Sequence, residues 1–427
     1  MTRRPSMQDL SAPLASAARH IARRISASGK RAWLVGGAPR DLALGRGPSE
    51  IDMTSAATPK EMEGLFDRTI PVGRAFGTIV VRVEGLDVQV TTFRSESGYT
   101  DARHPDQVAY GATVEGDSAR RDFTCNALYL DPLDDAFADP QGGLADLAAR
   151  RLRCVGEPEE RFREDGLRLL RLARFAAALD LEPDPATLAA ARRSSEALRG
   201  VSPERVREEL AAVFSKPGCG RALAILVDLE LLERAIPDLG VLASKEGGAR
   251  AYWEVRARTF DHLPPAPGLA LGLAALVDAE AVQALRPSRE LLREVAGIQE
   301  AARAARTIDR AARSDRIRWM RSSAFEPGVA LERARRMAEA SSVAALDEAL
   351  AERRRLGTDG LRPAPLLGAE DLVREGLAPG PAFGRLLHEA ETRQLDGVDR
   401  TRADALAWLA QAAQEGGKTP RSAKDTG

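Results

Sequence analysis

The hydrophobic pattern of this chain changes near Leu144, and this change limits the fold more than any other feature. Before it, the short apolar run Ala32–Val35 and the alternating segments Thr78–Val83 and 86–93 favour strands, the last two joined as a hairpin by a Glu-Gly turn. After it, apolar residues recur at helical spacing almost to the end of the chain. The sequence therefore predicts an α+β fold, with a small mixed β-sheet followed by an all-α region.

Composition excludes several classes of protein. The 427 residues indicate two or three domains, and a net charge of −1 means that any nucleic-acid surface must be a local basic patch. Three scattered cysteines (Cys125, Cys154 and Cys219) and four histidines argue against structural zinc and a disulfide framework, which favours a cytoplasmic location. No apolar run of about 18 residues is present, so we expect no membrane span and no signal peptide.

The first candidate site lies between the first two predicted strands. Gly36 and Gly37 end a strand, where glycine lets backbone N–H groups approach a phosphate, and Arg40 can pair with phosphate oxygens. Glu50 and Asp52 alternate along the next predicted strand, so both carboxylates should face one side and bind hard cations such as Mg²⁺. The glycine pair alone would indicate only a turn, but the whole spaced set favours a catalytic phosphate and metal site.

A second candidate site is a polar run that enters an apolar segment. It contains Arg120, Arg121, Asp122 and Asn126. Guanidinium and amide groups in this arrangement suit contacts to a triphosphate and a sugar. Composition alone would favour a solvated charge run at the start of a helix.

A third candidate site recurs every three residues within the predicted helix 164–179. Asp165, Arg168, Arg171 and Arg174 should lie together on its surface. An Asp can accept from the amine of cytosine or adenine while an Arg donates to ring acceptors, so the pair can imitate a complementary base. Taken alone, the spacing favours an ordinary salt bridge on an exposed helix.

A basic segment follows in the helical region. Residues 301–336 contain ten Arg and four acids, a net of +6, and we expect Arg303, Arg306, Arg310 and Arg313 to share one helix face. Such a face could follow an RNA backbone. A solvated, partly salt-bridged face is the equal alternative.

Taken in order, these motifs resemble the bacterial class II CCA-adding tRNA nucleotidyltransferase and poly(A) polymerase family. The resemblance runs from about residue 30 to 180 and rests on these segments: LVGGAPRDLALGRGPSEIDMTSAATP, PVGRAFGTIVV with QVTTFR and DARHPD, RRDFTCNALYLDP, DPQGGLADL, and VGEPEERFREDGLRLLRLARFAA. A weaker resemblance to the tail of CCA-adding members covers 365–410, through PLLGAEDL, LAPGPAFGRLL, QLDG and TRADALAWL.

The resemblance implies a nucleotidyltransferase palm followed by a helical neck, body and tail. We expect a disordered tail over 1–12, the head over 13–144, the neck with its nucleotide-selecting helix over 145–235, the body over 236–356, an RNA-binding tail over 357–415 and a disordered end over 416–427. The polar residues 95–111 should form a long loop. Its part from Ser95 to Gln107, which includes Arg103 and His104, should be a mobile element that helps to change specificity from C to A.

Site residues follow from the resemblance by position. Gly36, Gly37 and Arg40 would contact the triphosphate, Glu50 and Asp52 would bind two Mg²⁺ ions, and Arg120, Arg121, Asp122 and Asn126 would contact the nucleotide. Asp165 and Arg168 would select the base, supported by Arg171 and Arg174. The implied substrates are CTP, ATP and tRNA, and no oligomeric state is implied.

Two departures concern catalysis. Glu50 stands where the family has Asp, and Gln89 stands where an acid normally supplies a third catalytic carboxylate. Asp87, two residues earlier and about 6–7 Å away along the strand, is a candidate substitute. The alternatives are a poly(A) polymerase, an enzyme that adds only A or only CC, and a catalytically weak RNA-binding homologue.

Overall fold

The computed structural model describes residues 2–71, 77–99, 105–110, 113–236 and 249–416. The chain forms two compact units: residues 1–257 with 281–287, and residues 258–280 with 288–427. We call them unit 1 and unit 2. The domain boundaries expected from the sequence at 144, 235 and 356 stay predictions.

Unit 1 contains a mixed seven-stranded sheet with the strand order β3-β4-β5-β2-β1-β8-β9. Its strands are β1 Ala32–Val35, β2 Asp52–Ser55, β3 Thr69–Ile70, β4 Thr78–Val83, β5 Leu86–Thr92, β8 Tyr129–Leu130 and β9 Phe137–Ala138. β2 and β5 pair in parallel, and the other pairs are antiparallel. The expected hairpin 78–93 is present, and the α+β class is confirmed.

One face of this sheet is covered by helices. In α1 (Ala12–Ser26), the buried Ile21 and Ile25 are four residues apart and share a helix face. This face packs in one apolar core with Leu34, Met53 and Val90 of the sheet. Helix α3 (Pro59–Leu65) contributes buried residues to the same core and begins with a capping box. The opposite face is therefore where the strands can present polar side chains.

The expected disorder of residues 1–12 is wrong for the described part, which starts at Thr2. Met7 and Leu10 are buried in the core of unit 1, and the Met7 N–H donates to Asp135 Oδ1 at 2.7 Å. Two apolar side chains and an acid far along the chain fix this segment, so its polar composition was misleading.

The expected long loop 95–111 is also wrong where the chain is described. β6 (Arg94–Tyr99) and β7 (Pro105–Tyr110) form an antiparallel pair, while 100–104 and 111–112, with Arg103 and His104, lie outside the described residues. Backbone hydrogen bonds alone can pair two strands, so this element gives no apolar alternation for the sequence to reveal.

The helical part of unit 1 surrounds the base-selecting motif. Its helices are α2 Gly37–Ala43, α4 Val114–Ala119, α5 Gly143–Ala148, α6 Pro158–Glu164, α7 Leu167–Leu179, α8 Pro185–Arg193, α9 Pro203–Phe214, α10 Cys219–Asp228 and α11 Leu231–Ala235. Two short strands, β10 Arg151–Leu152 and β11 Glu182–Pro183, pair in parallel. The single helix expected over 164–179 is wrong, because α6 ends at Glu164 and Asp165 has extended backbone angles (φ −148°, ψ 103°).

The helices after residue 248 are α12 Ala249–Phe260, α13 Gly268–Leu276, α14 Ala279–Val282, α15 Arg289–Ala305, α16 Arg313–Met320, α17 Phe325–Ala338, α18 Ala344–Leu361, α19 Ala369–Arg374, α20 Pro381–Asp396 and α21 Arg402–Gly416. In unit 2, Phe325, Val329 and Leu346 anchor one apolar cluster, and Leu372 and Leu409 anchor another. The disorder expected after residue 416 lies outside the described residues. None of the described helices is long and apolar enough to span a membrane.

The shared basic helix face expected in unit 2 is wrong. α15 ends at Ala305, Arg310 lies in a 3-10 turn and Arg313 begins α16, so the four arginines belong to separate elements. Arg306 approaches Glu332 at 3.4 Å, and Arg313 donates to the Leu395 carbonyl oxygen. Folding therefore interrupts the expected single helix, but all four side chains remain exposed, and their RNA-binding role stays a prediction.

Candidate active site

The open face of the sheet presents the catalytic candidates of the first motif. β1, β2 and β5 place Val35, Asp52 and Gln89 side by side in register. Although the Asp52 side chain remains exposed, loss of hydration raises its pKa, the Glu50 charge raises it further, and Arg121 partly offsets both. The electrostatic coupling brings Glu50 and Asp52 into one site, but Glu50 precedes β2, so the expectation that both alternate on one strand is wrong.

Asp87 does not substitute for the missing third carboxylate. It forms a two-point salt bridge with Arg82 across the β4–β5 hairpin, with Nε to Oδ1 at 2.6 Å and Nη2 to Oδ2 at 2.8 Å. Both carboxylate oxygens are thus committed, and the pKa of Asp87 falls below its usual value because of this pairing. The neutral Gln89 remains the direct neighbour of Asp52 on β5.

Arg121 is directed at the glycine turn by two buried partners. Its Nη2 donates to Asp117 Oδ2 at 2.9 Å and its Nε to Tyr129 Oη at 2.9 Å. Gly36 has φ +74°, which favours glycine, and a Cβ atom there would lie 3.8 Å from Arg121 Nη1. One edge of the Arg121 guanidinium therefore faces the glycine turn and the Asp52 carboxylate, while Asp117 and Tyr129 bind the other edge.

The charge of Asp117 is essential to this arrangement. Burial alone would raise the pKa of Asp117, but Arg121 and Arg120 hold it below its usual value. Tyr129 also donates to Asp117 Oδ2, at 2.8 Å. Sequence reasoning did not assign roles to Asp117 or Tyr129, although the four-residue spacing from Asp117 to Arg121 was a usable signal.

A chain of polar contacts connects the first motif to the third. Arg40 Nη1 donates to Asn126 Oδ1 at 2.7 Å, and Asn126 Nδ2 donates to Asp122 Oδ1 at 3.0 Å. Asp122 Oδ2 accepts from Arg171 Nε at 2.8 Å. Burial opposes ionisation of Asp122, but Arg171 and Asn126 keep its pKa well below its usual value. The structure thus brings together four residues that the sequence singled out separately.

Three guanidinium groups surround the ring of Phe175. Arg40, Arg171 and Arg174 lie 5.5, 5.1 and 4.1 Å from its centroid. Since the face of an aromatic ring is electronegative, Phe175 helps to hold three cations together. Each guanidinium also pairs with a carboxylate, that of Asp41, Asp122 or Glu209, so the positive charge of this cluster is partly offset within the protein.

Asp165 and Arg168 of the third motif bind residues outside that motif. Asp165 lies between α6 and α7 and binds Arg205 of α9, with Nη1 to Oδ1 at 3.0 Å and Nη2 to Oδ2 at 2.8 Å. Arg168 donates to Glu164 Oε2 at 2.7 Å and to the Arg120 carbonyl at 3.0 Å. Arg205 escaped the sequence reasoning, because a contact across 40 residues leaves no local pattern.

The described residues contain no group of three or more His, Cys, Asp or Glu side chains arranged to hold a metal ion. Two carboxylates nevertheless fit Mg²⁺, which usually takes one or two protein carboxylates and completes its shell with water and substrate phosphates. Loss of hydration is the main reason for the raised pKa of Asp52, and the neighbouring Glu50 charge adds to it, so a cation held by both carboxylates would offset this repulsion.

The fold and the site define a nucleotidyltransferase-type head. Residues 32–153 match the family described as the poly A polymerase head domain, and residues 180–242 match the family described as a probable RNA and SrmB-binding site of polymerase A. The resemblance inferred from the motifs is confirmed: the chain matches the poly A polymerase head-domain family over residues 32–153.

The individual proteins that the chain resembles are CCA-adding enzymes. It is 39% identical over 218 residues to that of Lactobacillus johnsonii, covering 51% of this chain and 54% of the relative. It is 44% identical over 198 residues to that of Levilactobacillus brevis, covering 46% and 50%. The matches thus span about half the length of these curated relatives.

Solved structures extend the similarity along the chain. The Bacillus stearothermophilus CCA-adding enzyme in complex with CTP superposes with a TM-score of 0.74 and 27% identity, covering 96% of this chain and 99% of that one. The Thermotoga maritima CCA-adding enzyme complexed with tRNA shares the fold, with a TM-score of 0.68 at 18% identity over 94% and 96% of the two chains.

Proposed function

We propose that this chain adds C, C and A to the 3′ end of tRNA, using CTP and ATP and no nucleic-acid template. The observation that carries the proposal is the polar chain that runs from Arg40, beside the glycine turn, through Asn126 and Asp122 to Arg171, on the helix that follows Asp165. A polyanion site and a base-edge site are joined in it by Arg40, Asn126 and Asp122. The names of the similar proteins support the same activity.

Glu50 and Asp52 would hold Mg²⁺ at the open face of the sheet. When bound, Mg²⁺ would lower the barrier to attack of the RNA 3′ hydroxyl on the α-phosphate and neutralise charge on the leaving pyrophosphate. The two residues therefore serve as oxygen ligands. Gln89, being a neutral amide, adds no third negative charge to this site.

Arg121 and Arg40 would bind the triphosphate. Arg121 presents Nη1 at the Gly36 turn because Asp117 and Tyr129 hold its other nitrogens, and Arg40 is aligned by Asp41 and Asn126. Preorganised donors cost no reorganisation when charge moves onto the leaving group. The guanidinium cluster around Phe175 adds a favourable potential for the same anion.

Arg168 would bind the ring acceptors of the incoming base. A guanidinium carries five N–H donors, and Nη1 uses two of them on the Arg161 carbonyl and Glu164 while Nη2 uses one on Arg120. The Nε–H and one Nη2–H have no other acceptor in the described part of the chain. These donors suit cytosine and adenine, whose Watson–Crick edges combine ring acceptors with an amine.

The cellular setting belongs to the same proposal. The expected partner is tRNA, bound in part by the helical residues 357–415, and the expected compartment is the cytoplasm. Cys125, Cys154 and Cys219 are all free and buried, which suits a reducing compartment. Gln89 favours one rival, a catalytically weak RNA-binding homologue.

The deciding experiment is incorporation of labelled CTP and ATP into three tRNAs that end without CCA, in C and in CC. Addition of both nucleotides that stops after CCA is the expected result, and chelation of Mg²⁺ by EDTA should abolish it. A-only or CC-only addition would indicate half of a divided activity, and long A tails a poly(A) polymerase. If the protein adds nothing but still binds tRNA, the catalytically weak homologue is correct.

A further inference from the structure

We infer that Arg205 is a specificity-determining positioning residue, which fixes Asp165 so that one acceptor position on Oδ2 selects the incoming base. The inference rests on the proposed function, because it concerns how the same site distinguishes nucleotides. Its evidence is the hydrogen-bond inventory of Asp165 and the way α9 holds the segment 165–174.

The Asp165 carboxylate has little acceptor capacity left. Oδ1 accepts from Arg205 Nη1 at 3.0 Å and from the Leu167 backbone N–H at 3.1 Å. Oδ2 accepts from Arg205 Nη2 at 2.8 Å and has no further donor in the part of the chain that the structure describes. Since each carboxylate oxygen has two lone-pair sites, one position on Oδ2 remains.

One remaining acceptor suits one amino group. Cytosine and adenine offer an exocyclic amine at the corresponding edge, whereas uracil and guanine present a carbonyl oxygen that a carboxylate repels. Rotation of the carboxylate would exchange its oxygens and blur this choice. The planar fork of Arg205 bonds both oxygens at once and therefore opposes that rotation.

The backbone near Asp165 holds only one oxygen of its side chain, through the Leu167 N–H that donates to Oδ1. Asp165 has extended angles between two helices, and its N–H makes only a long contact of 3.4 Å with the Arg161 carbonyl. The next residue, Gly166, is packed so tightly that a Cβ atom would lie 2.3 Å from the Ala197 carbonyl oxygen. The chain path is thus fixed by packing at Gly166, while the direction of the Asp165 carboxylate depends on its partner.

Helix α9 holds the same segment at a second point. Glu209 lies four residues after Arg205 and accepts from Arg174 Nε at 2.5 Å. Residues four apart share a helix face, so one face of α9 binds both Asp165 and Arg174. Arg207, between them, donates instead to the carbonyl oxygens of Leu285 and Arg286. It supplies a matched control on the same helix.

The test compares wild type with Arg205→Ala, Arg205→Lys and Arg207→Ala. Equilibrium binding of CTP and UTP in Mg²⁺ gives a discrimination ratio without turnover, and kcat and KM for each nucleotide are measured on tRNA that lacks CCA. Loss of Arg205 should lower the CTP-over-UTP ratio about tenfold or more, mainly through tighter UTP binding and weaker CTP binding. Lysine, which cannot bond both oxygens in a planar fork, should restore only part of the ratio.

Arg207→Ala should keep the wild-type ratio even if it lowers the melting temperature. A wild-type ratio in folded Arg205→Ala would overturn the inference. If Arg205→Ala does not fold, Arg205→Lys decides in the same way, and an unchanged ratio there overturns it. If wild type transfers no nucleotide, only the proposed function fails, because the binding ratio still tests Arg205. If wild type binds CTP and UTP equally, the inference is overturned.

Discussion

Arginine clusters occur in both compact units, and they serve different purposes. In unit 1, protein partners bind some of the N–H groups of Arg121 and Arg168. The remaining N–H groups are left to bind a ligand in the proposed site. In unit 2, Arg318 and Arg321 both bind Glu391, and Arg321 also donates to the Leu361 carbonyl at 2.6 Å. The comparison teaches that the number of arginines in a segment does not locate a nucleic-acid surface, since their partners decide what they can bind.

The largest expected effect is loss of the metal ligand in unit 1. Asp52→Asn should reduce nucleotide addition by about a thousandfold or more, because a neutral amide holds Mg²⁺ poorly. Single-turnover incorporation of labelled CTP measures this. Asp87→Asn is the matched control, since Asp87 is bound to Arg82 on the neighbouring strand. Equal activity of the two variants would show that Asp52 does not bind the catalytic metal.

Loss of the base-selecting carboxylate should come next. Asp165→Ala should lower CTP-over-UTP discrimination about a hundredfold, because the pairing with the exocyclic amine disappears. Competition assays with mixed nucleotides measure the ratio, and metal binding should not change. Glu160→Ala, an exposed carboxylate on α6, should behave like wild type. Unchanged base choice in Asp165→Ala would remove Asp165 from the proposed site.

Weakening the arginine cluster around Glu391 in unit 2 should lower the stability of the fold and leave base choice unchanged. Burial would raise the pKa of Glu391, but its hydrogen bonds to Arg321 and Arg318 hold it below its usual value. Glu391→Gln should lower the free energy of unfolding by about 1 kcal/mol at most, since water screens this half-exposed pair. Urea unfolding measures it against Glu389→Gln. A change in nucleotide discrimination would show that this cluster belongs to the site.

The smallest expected effect concerns Glu61, a surface carboxylate of unit 1 that belongs to neither arginine cluster. Lys30 and Thr58 lower the pKa of Glu61 from 4.5 to about 2. A lowered folded-state pKa stabilises the fold above the unfolded-state pKa, and this contribution is lost as the pH falls from about 4.5 to 2. Because Glu61 is largely exposed, Glu61→Gln should cost only about 0.5 kcal/mol at pH 7.

Unfolding free energies of wild type and Glu61→Gln should therefore converge as the pH falls from about 4.5 to 2. Asp67→Asn, an exposed carboxylate just after α3, supplies the control. A difference that grows as the pH falls would contradict the direction of the pKa shift.

Motif spacing predicted the sheet strands and the order of the segments that carry the candidate site residues. Periods of two and of 3.6 residues depend only on the local chain, so the β4–β5 hairpin and helix α9 could be found directly. Elements held by backbone pairing or by distant polar partners could not be found from local periodicity. The strands β6 and β7 and the ordered segment around Met7 are examples, since their stabilising partners lie outside the local pattern.

The sequence by itself determined which residues are available for the chemistry: two acids near the glycine turn, a neutral Gln89, and an Asp and an Arg for the base. Only the tertiary structure decided their partners. It committed Asp87 to Arg82, placed Asp165 outside the helix and bound it to Arg205, and spread the basic residues of unit 2 among helix contacts. The physical reason is that charge type is a local property of the chain, whereas the partner that directs a charge comes from residues brought close only by folding.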